Sequence, residues 1–513
     1  MDAGTLEPKK SKSSRSRRQI RGSSLLLSGQ FLSKGLNFVT QILIVRYLTT
    51  ADYGALGYAL SIVALGQSFA TFGLDRAITR FVPIYHERQE YNKLFGTLIM
   101  VLTTVVSLGL GMALLFYTFQ GPIGDTWIKD QLAVELLLIL IFLAPLQSID
   151  ELFVGMFAVF TGSRAVFFRK YLLGPGIKLG AVLALMLAHG NVLFLAGAQL
   201  VGAILAIVVY SIMLVRALRQ QDLFTHFNWA EVNIPWREIL AFTIPLLTSD
   251  LVYVVMNSMD AIMIQYFRSA VDVAALRAVQ PTAKLNQIVL TSFGLLFTPA
   301  AARMFARNDR EGINNLYWEN AIWIAVASFP IFVLTFSLAQ PITILLYGER
   351  YAQSAIILAL LSFSYYFNAA LGQNGLTLKV FGKVRYVVVI NVIAVLVNLV
   401  ANLLLIPRYG ALGATIGTAS TLVLHNLLKQ AGLRMGTGIN LFEWRYLRVY
   451  VIITVGAALL LLNQWLFEPS VYVSVGLAML VSLVIVRLNR HLLDLEGMFP
   501  ELMRLPFVKL ILG

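Results

Sequence analysis

The chain has 513 residues, 58% hydrophobic and 13% charged, about half the charged share of an ordinary soluble domain, which excludes a water-soluble globule of the usual build. It contains no cysteine, so disulfides, thiolate metal sites and cysteine nucleophiles are excluded together. Its five histidines are scattered and form no HExxH pair, leaving a metal without a visible ligand set.

The net charge of +14 does not point to nucleic acid, because of where it sits. Lys9, Lys10, Lys12, Arg15, Arg17, Arg18 and Arg21 crowd a basic cytoplasmic tail, residues 1–22, just before the first apolar block, where contact with anionic membrane lipid is expected. Ser16 to Arg21 faintly resembles a twin-arginine export signal. The apolar segment that follows carries Gln30, Lys34, Asn37 and Gln41, a poor signal core, so a retained first helix is expected.

Apolar blocks of about twenty residues, long enough to cross a hydrocarbon layer ~30 Å thick, predict helices over 24–46, 54–75, 95–117, 132–160, 170–188 and 191–216. These make an N-terminal lobe over 23–219. A polar cytoplasmic linker, 220–236, follows. Helices over 237–266, 272–299, 314–339, 352–378, 385–407 and 411–433 make a C-terminal lobe over 237–434. A last pair, 445–465 and 470–487, lies in 435–513 with a cytoplasmic C-terminus. With the N-terminus inside, the outer loops hold only Arg46, Lys129, Arg268, Arg350 and Arg408 of the 40 lysines and arginines, the asymmetry that fixes orientation. The expected class is an all-α integral membrane protein, multi-pass in the cytoplasmic membrane, with about fourteen transmembrane helices, N-in and C-in.

An internal repeat appears when the chain is laid over itself at an offset of 219 to 222. Tyr47, Ala51, Asp52, Ala55 and Leu56 fall on Tyr266, Ala270, Asp272, Ala275 and Leu276. Phe72, Gly73 and Leu74 fall on Phe293, Gly294 and Leu295, and Gly162, Gly190 and Gly197 on Gly382, Gly410 and Gly417. An even number of helices per repeat means that both repeats enter from the same side. Two parallel six-helix lobes, related by an axis along the membrane normal and enclosing a cavity, are therefore expected, with the C-terminal helix pair appended.

Polar stripes give that cavity candidate chemistry. Gln30, Lys34, Asn37 and Gln41 share one face of the first helix, Asp250, Tyr253, Asn257 and Asp260 one face of the seventh, and Arg277, Gln280, Lys284 and Gln287 one face of the eighth. A charge at mid-bilayer costs about 2.5–3.5 kcal/mol on insertion scales, which directs such stripes toward a wet interior. Lys34, Asn37, Gln41, Lys178, Asn257, Arg277 and Lys284 are the candidate substrate-binding residues. The alternative for the uncharged members is hydrogen bonding between helices. A cationic cavity implies an anionic cargo such as a phosphate-linked or acidic sugar. Asp150, Glu151, Asp250 and Asp260 are candidates for coupling to Na+ or H+, or for pairing with the lysines and arginines. Gly410, Gly413 and Gly417 read as a helix-packing face, and no phosphate-binding GxxxxGK[ST] loop occurs. No cofactor is implied, and the loops offer no acidic catalytic domain of the kind a membrane glycosyltransferase or polymerase needs.

Asn391, Asn398 and Asn402, followed by Ile406, Pro407, Tyr409, Gly410, Gly413, Ala414 and Gly417, resemble the N-x6-N-x3-N-x3-IP-x-YG-x2-GA signature of polysaccharide-biosynthesis flippases. Arg46, Tyr47, Leu48, Asp52, Tyr53 and Gly54, with Gly73, Leu74 and Arg80, are similar to that family's first two helices. The resemblance runs along nearly the whole chain. It implies a member of the multidrug, oligosaccharidyl-lipid and polysaccharide exporter superfamily: a two-lobed, alternating-access transporter of a lipid-linked oligosaccharide, not an enzyme, with glycan-synthesis machinery as a candidate partner. Drug export and lipid II export on the same fold are the rivals. Oligomeric state is not encoded in any visible motif.

Overall fold

A computed structural model of the chain describes residues 10–122, 124, 128, 130–161 and 166–493, with the side chains of all of these except 10–25, 27, 245, 246 and 248–253. Among the described residues every regular element is helical. Eleven helices among the described residues are long and apolar enough to cross a membrane. Two compact units divide at Ser258 and Met259.

The first unit contains α1 (Lys10–Tyr47), α2 (Thr50–Thr71), α3 (Leu74–Glu87), α4 (Tyr91–Thr118), α5 (Gln131–Leu140), α6 (Leu143–Phe160), α7 (Gly174–Leu187), α8 (Val192–Gln220) and most of α9 (Trp236–Phe267). The turn between α2 and α3 is a left-handed pair, Phe72 at φ 51° and Gly73 at φ 68°, and Gly73 sits against the Thr243 carbonyl of α9. Beyond it α3 is strongly amphipathic. Leu74, Ala77, Ile78, Phe81, Val82 and Tyr85 recur at helical spacing and are all buried, packed with Leu152, Met156, Phe157 and Phe160 of α6 and Ile239 of α9.

That packing moves the boundary between units. The sequence places it at the 220–236 linker, whereas the first part of α9 belongs with the first unit. Phe242 meets Phe81 edge-on at 5.5 Å, the Arg80 guanidinium lies 4.3 Å from the Phe242 ring, and Tyr85 Oη donates to Glu238 Oε2 at 3.0 Å. The polar linker is thus a surface excursion inside one packed body, not its edge.

The second unit contains the end of α9, α10 (Ala270–Lys284), α11 (Ile288–Ala306), α12 (Arg310–Thr335), α13 (Ala339–Tyr347), α14 (Ala355–Ala370) and α15 (Asn374–Val380). A 54-residue helical stretch, Val384–Thr437, follows and is broken at Gly410 into α16 (384–409) and α17 (411–437). The last two helices are α18 (Leu447–Phe467) and α19 (Val471–Leu488). The core is built on α12, where Tyr317, Trp318, Ala321, Ala325 and Phe329 are fully buried. Tyr366 of α14 stacks on Phe332 at 4.0 Å and donates to the Ala325 carbonyl at 2.8 Å. Ile453, Ala457 and Leu460 of α18, with Ala478 and Ile485 of α19, complete the same cluster. Asn440 and Asn314 donate to Glu443 Oε1 at 2.6 and 3.1 Å, which holds that carboxyl below its usual range and closes the loop before α18.

Local signals repeat with the chain. Thr49 caps α2 through the Asp52 N–H, and Ser269 caps α10 through the Asp272 N–H, at 3.1 and 3.4 Å. The caps fall on the repeat register established by Asp52 and Asp272.

Candidate functional site

In the first unit α6 carries Asp150 and Glu151. Glu151 accepts from Gln67 Nε2 of α2 at 3.0 Å. Asp150 meets Arg169, which lies in a π-helical segment, Phe167–Leu173, at the entry to α7. The Gly174 N–H bonds back to the Arg169 carbonyl, and Pro175 has no N–H to continue an α-helical register, so the turn widens. Arg169 is 1% exposed. Its Nη2 donates to Asp150 Oδ1 at 2.7 Å and to the Asp150 carbonyl at 2.9 Å, with Tyr210 and Phe157 rings 4.5 and 5.3 Å from the guanidinium carbon. Lys178, exposed on α7, lies within electrostatic reach of Asp150.

Arg169, which lies at the edge of the apolar block 170–188, is thus a buried cation that the sequence reading does not single out. A carboxylate in an apolar helix without a basic residue one turn away was the available signal that a partner existed elsewhere.

The remaining candidates of this unit divide. Lys34 is exposed on α1 and makes no hydrogen bond or ion pair among the described residues. Asn37 donates to the Ser33 carbonyl of its own helix at 2.8 Å. Gln41 donates to Tyr53 Oη of α2, the interhelical alternative. Asn257 is half-buried on α9. Asp250 also lies on α9, and its side chain is outside the described residues.

In the second unit Asp260, 2% exposed, is the centre of a polar network. Asn402 Nδ2 of α16 donates to Asp260 Oδ1 at 2.7 Å, and Thr418 Oγ1 of α17 donates to Asp260 Oδ2 at 2.7 Å. Asn398 Nδ2 donates to Thr418 Oγ1 at 3.1 Å, and Asn398 Oδ1 accepts from Asn402 Nδ2 at 3.2 Å. The Asn402 Oδ1 atom is buried and without a hydrogen-bond donor. Arg277 and Lys284 of α10, both half-buried, lie within electrostatic reach of Asp260, and Arg277 Nη1 donates to Gln280 Oε1 at 3.0 Å. The cations of α10 therefore do have a carboxylate nearby, supplied by a different helix.

The asparagine-glycine motif acquires a physical role here. A Cβ on Gly417 would stand 2.6 Å from Asn402 Oδ1, and one on Gly413 would stand 2.3 Å from the Leu405 carbonyl, so only glycine lets α16 and α17 approach closely enough for Asn402 and Thr418 to share one carboxylate. Gly410 breaks the stretch at φ 55° and ψ −131°, a conformation reserved for glycine. Arg268 donates to the Ile406 and Arg408 carbonyls, satisfying the end of α16 that the break and Pro407 leave open. In the first unit the matching junction is held by Tyr47 Oη on the Gly190 carbonyl at 3.1 Å.

Residues 20–296 match the family model described as polysaccharide biosynthesis protein, and residues 245–404 match the MatE model. The chain belongs to the polysaccharide biosynthesis protein family. It is thereby a multi-pass membrane protein of the superfamily that also contains the multidrug MATE transporters. Among its relatives are the succinoglycan biosynthesis transport protein ExoT of Rhizobium meliloti, 25% identical over 68% of this chain and 65% of that protein, and the capsular polysaccharide biosynthesis protein CapF of Staphylococcus aureus, 21% identical over 77% and 94%. An uncharacterized membrane protein of Methanocaldococcus jannaschii is 20% identical over 78% and 80%. Among solved structures, the lipid II flippase MurJ in an inward closed conformation superposes with a TM-score of 0.71 at 14% identity, covering 91% of this chain and 99% of that one. An inward-facing MATE transporter gives 0.62 at 15% identity, over 79% and 94%. The family member thus carries the fold of transporters.

Proposed function

We propose that the chain is a flippase that moves a lipid-linked oligosaccharide or polysaccharide precursor across the cytoplasmic membrane by alternating exposure of cationic side chains. The observation that carries this reading is the placement of Lys34, Lys178, Arg277 and Lys284 on helices of a membrane transporter fold in a polysaccharide biosynthesis family. Such charges attract a phosphate-linked or acidic sugar and repel cationic drugs. The topology we assign is fourteen crossings, N-in and C-in. To the eleven apolar spans we add a second crossing from the break at Gly410, and the polar-striped α1 and α9.

Coupling is assigned to Asp260. Its two carboxylate oxygens, with Asn402 Oδ1, Thr418 Oγ1 and Asn398 Oδ1, form the all-oxygen set suited to a hard cation such as Na+, and the carboxylate itself is suited to a proton. The first unit lacks this set, because the 219 and 220 registers put Gln41 where the second unit has Asp260 and Lys178 where it has Asn398. Transport is tested in proteoliposomes with a polyprenyl-linked glycan, lipid II and a cationic dye as separate cargoes, under imposed Na+ or H+ gradients. The Lys34→Ala, Arg277→Ala double variant should insert normally and lose glycan flipping by an order of magnitude or more. Undiminished flipping by that variant removes the cationic assignment, and dye transport in place of glycan transport removes the substrate class.

A further inference from the structure

We propose that Lys379 and Lys429 in the second unit form a phosphate-binding site, separate from the cationic groups assigned to transport, that takes the phosphate of a membrane lipid headgroup. Lys379 stands exposed near the end of α15, and Lys429 is half-buried on α17. Lys379 stands one turn beyond Gly375 on α15, on the helix face along which the Lys429 side chain lies. Neither makes a hydrogen bond or an ion pair among the described residues.

This proximity is built into the fold. The Lys429 side chain lies along Gly375, its Cε 3.7 Å and its Nζ 3.9 Å from the position a Cβ would take there. Neighbouring Asn374, 3% exposed, donates to Asn426 Oδ1 of α17 at 3.4 Å and accepts the Gly375 N–H at 2.7 Å, which fixes the start of α15 against α17. His425 lies one turn before Lys429, its ring Nε2 2.8 Å from Asn391 Oδ1, and adds a second polar group to the face that carries Lys429.

Two like charges held on facing helices raise the energy of the empty site and favour an anion that lies against both. Ammonium groups bind phosphate as point charges and lack the planar fork that an arginine offers a carboxylate. The repeat sharpens the point: the 220 register places Val159 and Val209 at the positions of Lys379 and Lys429, so the site belongs to the second unit alone and is not a product of the repeat.

The site is independent of the flippase reading, since it requires only the lysine pair, and its test requires no transport. The full chain, in nanodiscs of phosphatidylcholine with or without phosphatidylglycerol and separately in detergent with pyrophosphate, is assayed by native mass spectrometry and thermal shift. Wild type should retain phosphatidylglycerol and be stabilised by pyrophosphate. Lys429→Gln and Lys379→Gln should each weaken both at least 10-fold, while Lys429→Arg keeps most of the binding. Lys379→Gln guards against misfolding, because its side chain is exposed. Loss of lipid retention together with pyrophosphate binding supports the headgroup as the source. Loss of pyrophosphate binding alone overturns the headgroup in favour of a soluble anion. Equal binding by wild type and both glutamine variants overturns the site.

Discussion

At Arg169 and Asp150 the two halves of an ion pair are in different environments, and this asymmetry has a measurable consequence. Arg169 is buried and its Nε and Nη1 already lack hydrogen-bond partners, whereas the Asp150 side chain is 44% exposed. Asp150→Ala leaves a buried guanidinium without its counter-charge and should cost about 3–5 kcal/mol. Arg169→Met leaves a partly exposed carboxylate and an apolar chain between Phe157 and Tyr210, and should cost less. Thermal unfolding of the two variants in the same detergent gives the order; a larger loss for Arg169→Met would contradict it. The carboxylate was legible in the sequence because an acidic residue in an apolar block is conspicuous. Its partner was not, because apolar periodicity carries no mark of a π-helical turn, and the same basic residue reads equally well as a loop charge.

Helix elements depend on glycines that are equivalent in the repeat but not in the packing. Gly417 has Asn402 Oδ1 2.6 Å from its missing Cβ, while its repeat mate Gly197 has nothing within 4 Å. Gly417→Ala should therefore displace Asn402 from Asp260 and cost about 1–3 kcal/mol for the disturbed buried hydrogen bonds, with loss of ion-coupled transport. Gly197→Ala should stay within about 0.5 kcal/mol of wild type. Paired melting curves and transport rates check this, and equal effects at the two positions would show that α16 and α17 do not require close approach. The glycine spacing at 410, 413 and 417 already reads as a packing face in the sequence. What the approach serves is visible only with Asp260 in place.

For the whole molecule, the absence of cysteine makes topology directly accessible. Single cysteines introduced by Gln221→Cys in the linker and by Glu468→Cys between α18 and α19, both exposed, should react with a membrane-impermeant thiol reagent from opposite sides. Labelling of both from one side would refute the fourteen-crossing, N-in assignment. Helix positions were legible in advance to within a few residues, as with 95–117 against Tyr91–Thr118 and 191–216 against Val192–Gln220. The interruptions within crossings were not, such as the break at Ile141 and Phe142 or the turn at Leu285–Gln287. The first lies within an unbroken apolar run and the second beside the polar residues Lys284, Asn286 and Gln287, and neither carries a glycine or proline at the break.

The sequence by itself determined an all-helical membrane chain built from a repeat, because block length, charge asymmetry and register are properties of short segments and their order. Tertiary structure alone decided which polar side chains are partners. Asp150 finds its cation 19 positions away, and Asp260 finds its donors 142 and 158 positions away. In an apolar interior an unpaired polar group is costly, but any of several helices can supply the missing partner, and only the packing of those helices selects one.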